Sequence, residues 1–169
     1  METIDAIMTR RSIRDFQDKP VPKDIIKKLL AAAMNAPSAA NQQSWQFVVV
    51  TDKKLLKAVP EFSPYAAPSA KAAAGILVCG DLNKPKLPEL WVQDCSAATQ
   101  NILLAAHSLG LGAVWTGVYG LPGRAEGFVK LLDLPEKIVP LSFVVFGYPS
   151  EAVPPETRYS EKLVHYNKW

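Results

Sequence analysis

The segment Glu89 to Ser108 carries the longest helical pattern in the chain, a helix of about 30 Å that has to run through the middle of whatever forms around it. Its alanines, Ala97, Ala98, Ala105 and Ala106, let neighbours approach on more than one side, and Gly110 supplies a left-handed stop just past its end. A helix approached from several sides is a core helix, and the rest of the 169-residue chain must supply the layers that cover it.

Those layers are legible as four short apolar runs with helices between them. Trp45 to Val50, Gly75 to Gly80, Ala113 to Val118 and Leu141 to Phe146 are rich in β-branched and aromatic residues, and Gly147-Tyr-Pro149 ends the last. Thr3 is placed to cap a short helix over Ile4 to Met8. A second helix, Lys23 to Asn35, starts at Pro22. It repeats apolar residues at three- and four-residue spacing (Ile25, Ile26, Leu29, Leu30, Ala33) and is stopped by Pro37. Asp52 caps a further short helix, and Arg124 to Leu132 forms another that ends before Pro135. Glu61 to Ala74, mixing prolines with alanines, reads as a mobile excursion around a short helix, and Pro85 and Pro88 place a loop ahead of the long helix. The expected class is α+β, a sheet covered by helices; strand order does not follow from the pattern.

Composition bounds the partners. With 49% hydrophobic and 21% charged residues the chain reads as one soluble domain over 1–149, with 150–169 as its extension; no apolar run reaches the roughly 20 residues that cross a bilayer. METIDAIMTRR at the start has no signal-peptide pattern, so a cytoplasmic location is expected, with no membrane partner. A formal charge of +3 spread along the chain fits a small anion better than a nucleic acid. Cys79 and Cys95 read as buried thiols. His107 and His165 are too isolated for a zinc centre, so no metal is expected.

Two clusters carry possible chemistry. Arg10, Arg11, Ser12 and Arg14 form either a solvated basic turn or a phosphate clamp in which forked guanidinium donors meet phosphate oxygens. Pro37-Ser38-Ala-Ala-Asn41-Gln42-Gln43-Ser44-Trp45 is either a self-bonded turn or a set of amides able to read a heterocycle or sugar-like hydroxyls. Gly110-Leu-Gly-Ala-Val-Trp-Thr-Gly117 matches neither a dinucleotide nor a nucleoside-triphosphate loop. No nucleophile elbow or Cys–His pair is present either, which directs the chemistry to a bound cofactor.

In order along the chain, Arg10-Arg11-Ser12-Ile13-Arg14, Ala36-Pro37-Ser38-Ala-Ala-Asn41-Gln42-Gln43-Ser44-Trp45, Ala105-Ala-His-Ser-Leu-Gly-Leu-Gly112, Gly147-Tyr-Pro149 and a tail with Arg158 and Val164-His165-Tyr166-Asn167-Lys168-Trp169 resemble the short members of the nitroreductase family of FMN-dependent flavoproteins. The resemblance implies a three-layer sandwich around a mainly antiparallel sheet. It also implies a homodimer with two FMN sites at the interface and a C-terminal arm crossing to the partner. NADH or NADPH would reduce FMN, which would pass electrons to a nitroaromatic, quinone or similar planar acceptor. Reductive dehalogenation, activated-alkene reduction and flavin storage without turnover are the alternatives. On this resemblance Arg10 and Ser12 meet the phosphate, joined by Arg158 from the crossing arm; Arg11 belongs to the same cofactor-binding set, and Arg14 suits the N1/O2 side of the flavin. Pro37, Ser38, Asn41 and Gln43 line the cofactor, and Trp115, Thr116 and Gly117 lie by the isoalloxazine, with Trp115 open to a core role instead. Catalysis needs no side-chain base. Ser44 and Gly120 stand where proline is common in the family, and both are expected to loosen the loops that hold them.

Overall fold

Four strands pair antiparallel into one sheet in the order β1-β2-β4-β3, where β1 is Trp45–Val50, β2 Ala74–Asp81, β3 Gly112–Gly117 and β4 Ile138–Gly147. The structure is a computed structural model and describes residues 1–83 and 86–169, so Pro85 lies outside the described residues. The helices are α1 (Thr3–Thr9), α2 (Lys23–Met34), α3 (Lys53–Ala58), α4 (Trp91–Ser108) and α5 (Arg124–Leu132).

Side-chain alternation along the two inner strands assigns the layers. In β2, Ala74, Ile76 and Val78 face one way and meet Leu29 and Ala33 of α2 and Ala98, Ile102 and Ala106 of α4. Leu77 and Cys79 face the other way, with Phe143 and Val145 of β4, toward Leu56, Val59 and Phe128. A strand buried on both faces must be apolar at every position, as the fully buried β2 is. Helix α4 presents Cys95, Ala98, Thr99, Ile102 and Ala106 to the sheet and α2, and Asn101 Nδ2 donates to Ala32 O (2.9 Å), tying the two helices together. The three-layer α+β sandwich follows.

Most expected elements stand at the expected residues, and the exceptions have physical causes. Glu2, not Thr3, occupies the first helix's cap position and makes no capping bond. Val59–Glu61 and Pro64–Ala70 are 3-10 turns folded onto the α3 side of the sheet. Strand β4 begins three residues before Leu141 and passes through Pro140, at a bulge between Val78 and Cys79 of its neighbour. Proline is tolerated there because the bulge beside it interrupts the regular ladder that would otherwise need its missing N–H. Cys79 and Cys95 are free and buried, and burial pushes both thiols up to about 12.

Asp52 does cap α3, accepting from Lys54 N (2.6 Å) and Leu55 N (3.3 Å). Asp52→Ala should cost about 1 kcal/mol of stability, read as a lower thermal midpoint with unchanged native circular dichroism.

Candidate cofactor site

The basic turn converges. Arg10 leaves the end of α1, and Ile13 N donates to Ala113 O (3.0 Å) while Ser12 bridges Ala113, so the turn is laid along the open edge of β3. This approach requires Gly112, because a Cβ there would collide with the Ile13 side chain. Arg11 Nη1 donates to Pro154 O (2.8 Å) and Arg11 pairs with Glu156 (3.4 Å); Glu156 also pairs with Arg158 (3.2 Å). Arg10, Arg11, Glu156, Arg158 and Tyr159, with Ile7 and Met8, line a cavity of about 330 Å³. Burial, then the Arg158 and Arg11 charges, lower the Arg10 guanidinium's pKa from its ordinary value. Three guanidinium groups against one carboxylate leave a positive surplus that a phosphate dianion would neutralise.

Within one chain Arg158 lies beside Arg10, and the arm at Pro154 is tied to Arg11. Leu163, Tyr166 and Trp169, at its end, are exposed.

The amide loop lies elsewhere. It leads into β1, the opposite edge of the sheet from β3, three strand spacings or about 14 Å away. Asp94, near the start of α4, accepts from Ala39 N (2.9 Å), Gln42 Nε2 (2.6 Å) and Ser44 Oγ (3.3 Å). His107, at the other end of α4 and about 20 Å away along its axis, touches Thr9 beside Arg10. Pro37, Asn41 and Gln43 are exposed and Ser38 is half-buried, its Oγ accepting from Gln43 N (3.1 Å). One chain therefore does not bring the arginines and the loop together.

The loop is strained. Ala40, Asn41 and Gln43 have φ of 48°, 51° and 47°. The left-handed region costs a residue with a Cβ roughly 1–2 kcal/mol, less for asparagine, and such strain persists where surrounding contacts over-determine it. On β3, Trp115 is exposed, whereas the Thr116 side chain is buried and donates to Phe143 O (2.8 Å). Gly117 O accepts from Arg124 Nη1 (3.0 Å). Arg14 is exposed. Ser44 is buried and tied to Asp94, and Gly120 has φ 73°, a conformation that proline cannot adopt.

The model of the nitroreductase family matches residues 7–92 and 80–148. The chain belongs to the nitroreductase family. A Methanothermobacter thermautotrophicus protein with the provisional name NADH dehydrogenase/NAD(P)H nitroreductase is 48% identical over 169 residues, covering 100% of this chain and 88% of that one. A Parabacteroides distasonis crystal structure of the same provisional name superposes with TM-score 0.94 at 44% identity, covering 99% of this chain and 98% of that one. A Clostridium difficile FMN-dependent nitroreductase superposes with TM-score 0.91 at 29% identity, over 98% and 99%. The chain is thus a short nitroreductase-family flavoprotein, matched along nearly its whole length.

Three residues of this nitroreductase site escaped the sequence reading. Asp94 resembles any acidic residue in a helix's first turn until its burial is known, and Glu156 lies in a tail without periodicity. His107 Nε2 lies 2.8 Å from Thr9 Oγ1, and because that hydroxyl donates to Asp5 O (2.6 Å), Nε2 carries the proton. Burial, then the Arg10 charge, lowers His107 below its ordinary 6.5. A base depressed in the fold binds fewer protons than in the unfolded chain, so stability should be full above pH 6.5 and fall as pH drops below it. Urea titrations should show this fall reduced in His107→Gln.

Proposed function

We propose that this protein is an FMN-dependent oxidoreductase which takes reducing equivalents from NADH or NADPH and delivers them to a planar electron-poor acceptor, a nitroaromatic or quinone. It works as a homodimer with two flavin sites shared between subunits. The observation that carries this reading is the convergence of Arg10, Arg11 and Arg158 around one carboxylate, beside Ser12 and the open edge of β3. That donor set suits a phosphate monoester, and the Clostridium difficile relative is by name FMN-dependent. The separation of the loop from the arginines supports the shared site, since a second copy can bring its loop to the first copy's arginines. Exposed Ile4, Ile7, Met8, Tyr166 and Trp169 offer apolar surface for that contact, including a tail end free to cross to the partner.

The division of labour follows from residue chemistry. Arg10 and Arg158 hold the phosphate through forked charge-assisted bonds, with Ser12 adding a neutral one and Arg11 holding the arm in place. Asn41 and Gln43 offer donors and acceptors to the ribityl chain or ring edge, with Pro37 and Ser38 shaping the backbone beside them. A cation such as Arg14 near the N1/O2 side favours electron uptake. Trp115 and the backbone of Thr116 and Gly117 form the wall of the pocket, where a planar acceptor stacks. Bound flavin supplies the redox step, accepting hydride and returning electrons, so no side-chain base is required.

The test is the visible spectrum of the purified protein, followed by anaerobic stopped-flow reduction with each nicotinamide. Flavin bands, rapid bleaching and reoxidation by nitroaromatics or quinones well above the buffer rate are expected. Protein that neither carries nor takes up FMN overturns the reading, and sluggish reduction by both nicotinamides favours flavin storage. Faster reoxidation by a halogenated arene or an activated alkene reassigns the acceptor. Sedimentation equilibrium should give a dimer; a monomer with full FMN affinity contradicts the shared site.

A further inference from the structure

Asp94 is 4% exposed, and its carboxylate touches the amide loop before, within and after its left-handed stretch. Oδ1 accepts from Ala39 N, and Oδ2 accepts from Gln42 Nε2 and Ser44 Oγ. We infer that Asp94 is the positioning residue of this site, acting through Gln42 and the loop backbone to aim Asn41 and Gln43 outward at the ligand. The ligand's identity rests on the flavin reading above; the loop order does not.

Asn41, Gln42 and Gln43 are successive amide side chains, and only the middle one is buried. Gln42 is bound at both ends of its amide: Oε1 accepts from Leu87 N (3.0 Å), and Nε2 donates to Leu87 O (3.3 Å) as well as to Asp94. With Gln42 pinned inward, its two neighbours are left exposed. Holding that arrangement against backbone strain at Ala40, Asn41 and Gln43 requires a partner whose own position is fixed. Asp94 qualifies because it stands in the first turn of an 18-residue helix in the core, where the positive end of the helix also stabilises its charge. A carboxylate is the side chain that can accept all three bonds and donate none. An asparagine of the same size would turn an N–H toward Ala39 N–H or the Gln42 amide, setting donor against donor.

Three measurements on Asp94→Asn and Ser44→Ala decide the matter: hydrogen exchange of the apo protein, FMN dissociation constants, and the visible circular dichroism of bound flavin at saturation. For Asp94→Asn, amides of residues 38–44 should exchange faster while β2 and β4 keep their protection. The FMN dissociation constant should rise roughly tenfold or more, the scale set by leaving a buried donor unpaired. The dichroism of saturated flavin should also change, which a uniform loss of stability would not produce. Ser44→Ala, which keeps the carboxylate and two of its partners, should shift each readout in the same direction by less. An Asp94→Asn protein with wild-type loop exchange, affinity within twofold and unchanged dichroism overturns the inference. If Asp94→Asn does not fold, Gln42→Met removes the buried link and leaves the carboxylate in place; wild-type loop exchange in both Gln42→Met and Ser44→Ala then overturns it. Should the wild-type protein bind no FMN, the flavin reading falls, and the exchange data alone still decide the role of Asp94.

Discussion

Arg10→Ala should weaken FMN binding by about a hundredfold, or roughly 3 kcal/mol, the scale of losing a forked charge-assisted contact to phosphate. The apo protein should respond in the opposite sense. Arg10 stands partly buried beside two like charges, Arg158 and Arg11, which with burial lower its pKa, so deleting it relieves repulsion. Apo stability is therefore expected to hold or rise slightly while affinity collapses. Arg10→Lys should fall between the two, retaining charge without the planar fork. Added salt should weaken wild-type binding more than that of Arg10→Ala, because the pocket faces solvent and its charges are screened. Fluorescence titration of FMN at two ionic strengths, with urea unfolding of each apo protein, measures all of this. An alanine variant with wild-type affinity would remove the arginine cluster from the site.

How much of this was legible in the sequence depends on whether the deciding physics is local. The strand at Trp45–Val50 and the helix at Arg124–Leu132 fall on the expected residues because their apolar periods and flanking breakers are contained within the segments. The start of β4 is not legible locally because proline ordinarily ends a strand, and what permits Pro140 is a bulge in its pairing with β2, a property of two strands together. The arginine cluster is legible as residue types, whereas the course of the aperiodic tail that carries Arg158 is set by no local pattern. Asp94 was invisible for the same reason. Its sequence position suggests a solvated helix start, and only the loop folding over it turns it into a buried acceptor. The site residues were thus visible as chemistry, and their division between two edges of the sheet was not.

Phe143→Ala should cost about 3–5 kcal/mol, the range for removing a fully enclosed aromatic ring. Phe143 is 0% exposed in β4, an inner strand of the sheet. Its ring lies 5.0 Å from that of Phe128 on α5, and its carbonyl accepts from Thr116 on β3. Deleting the ring should therefore open a void between the sheet and α5. The loss should appear as a lower urea midpoint with little change in slope. Gly75 on the neighbouring strand makes the test sharper, because a Cβ at Gly75 would collide with the Phe143 ring. Gly75→Ala alone should cost about 1–3 kcal/mol by overpacking. In the Phe143→Ala background the same methyl enters empty space, so the double variant should be more stable than the sum of the two losses predicts. Strict additivity would mean that the ring does not occupy the space over Gly75, and that α5 is held to the sheet by other contacts.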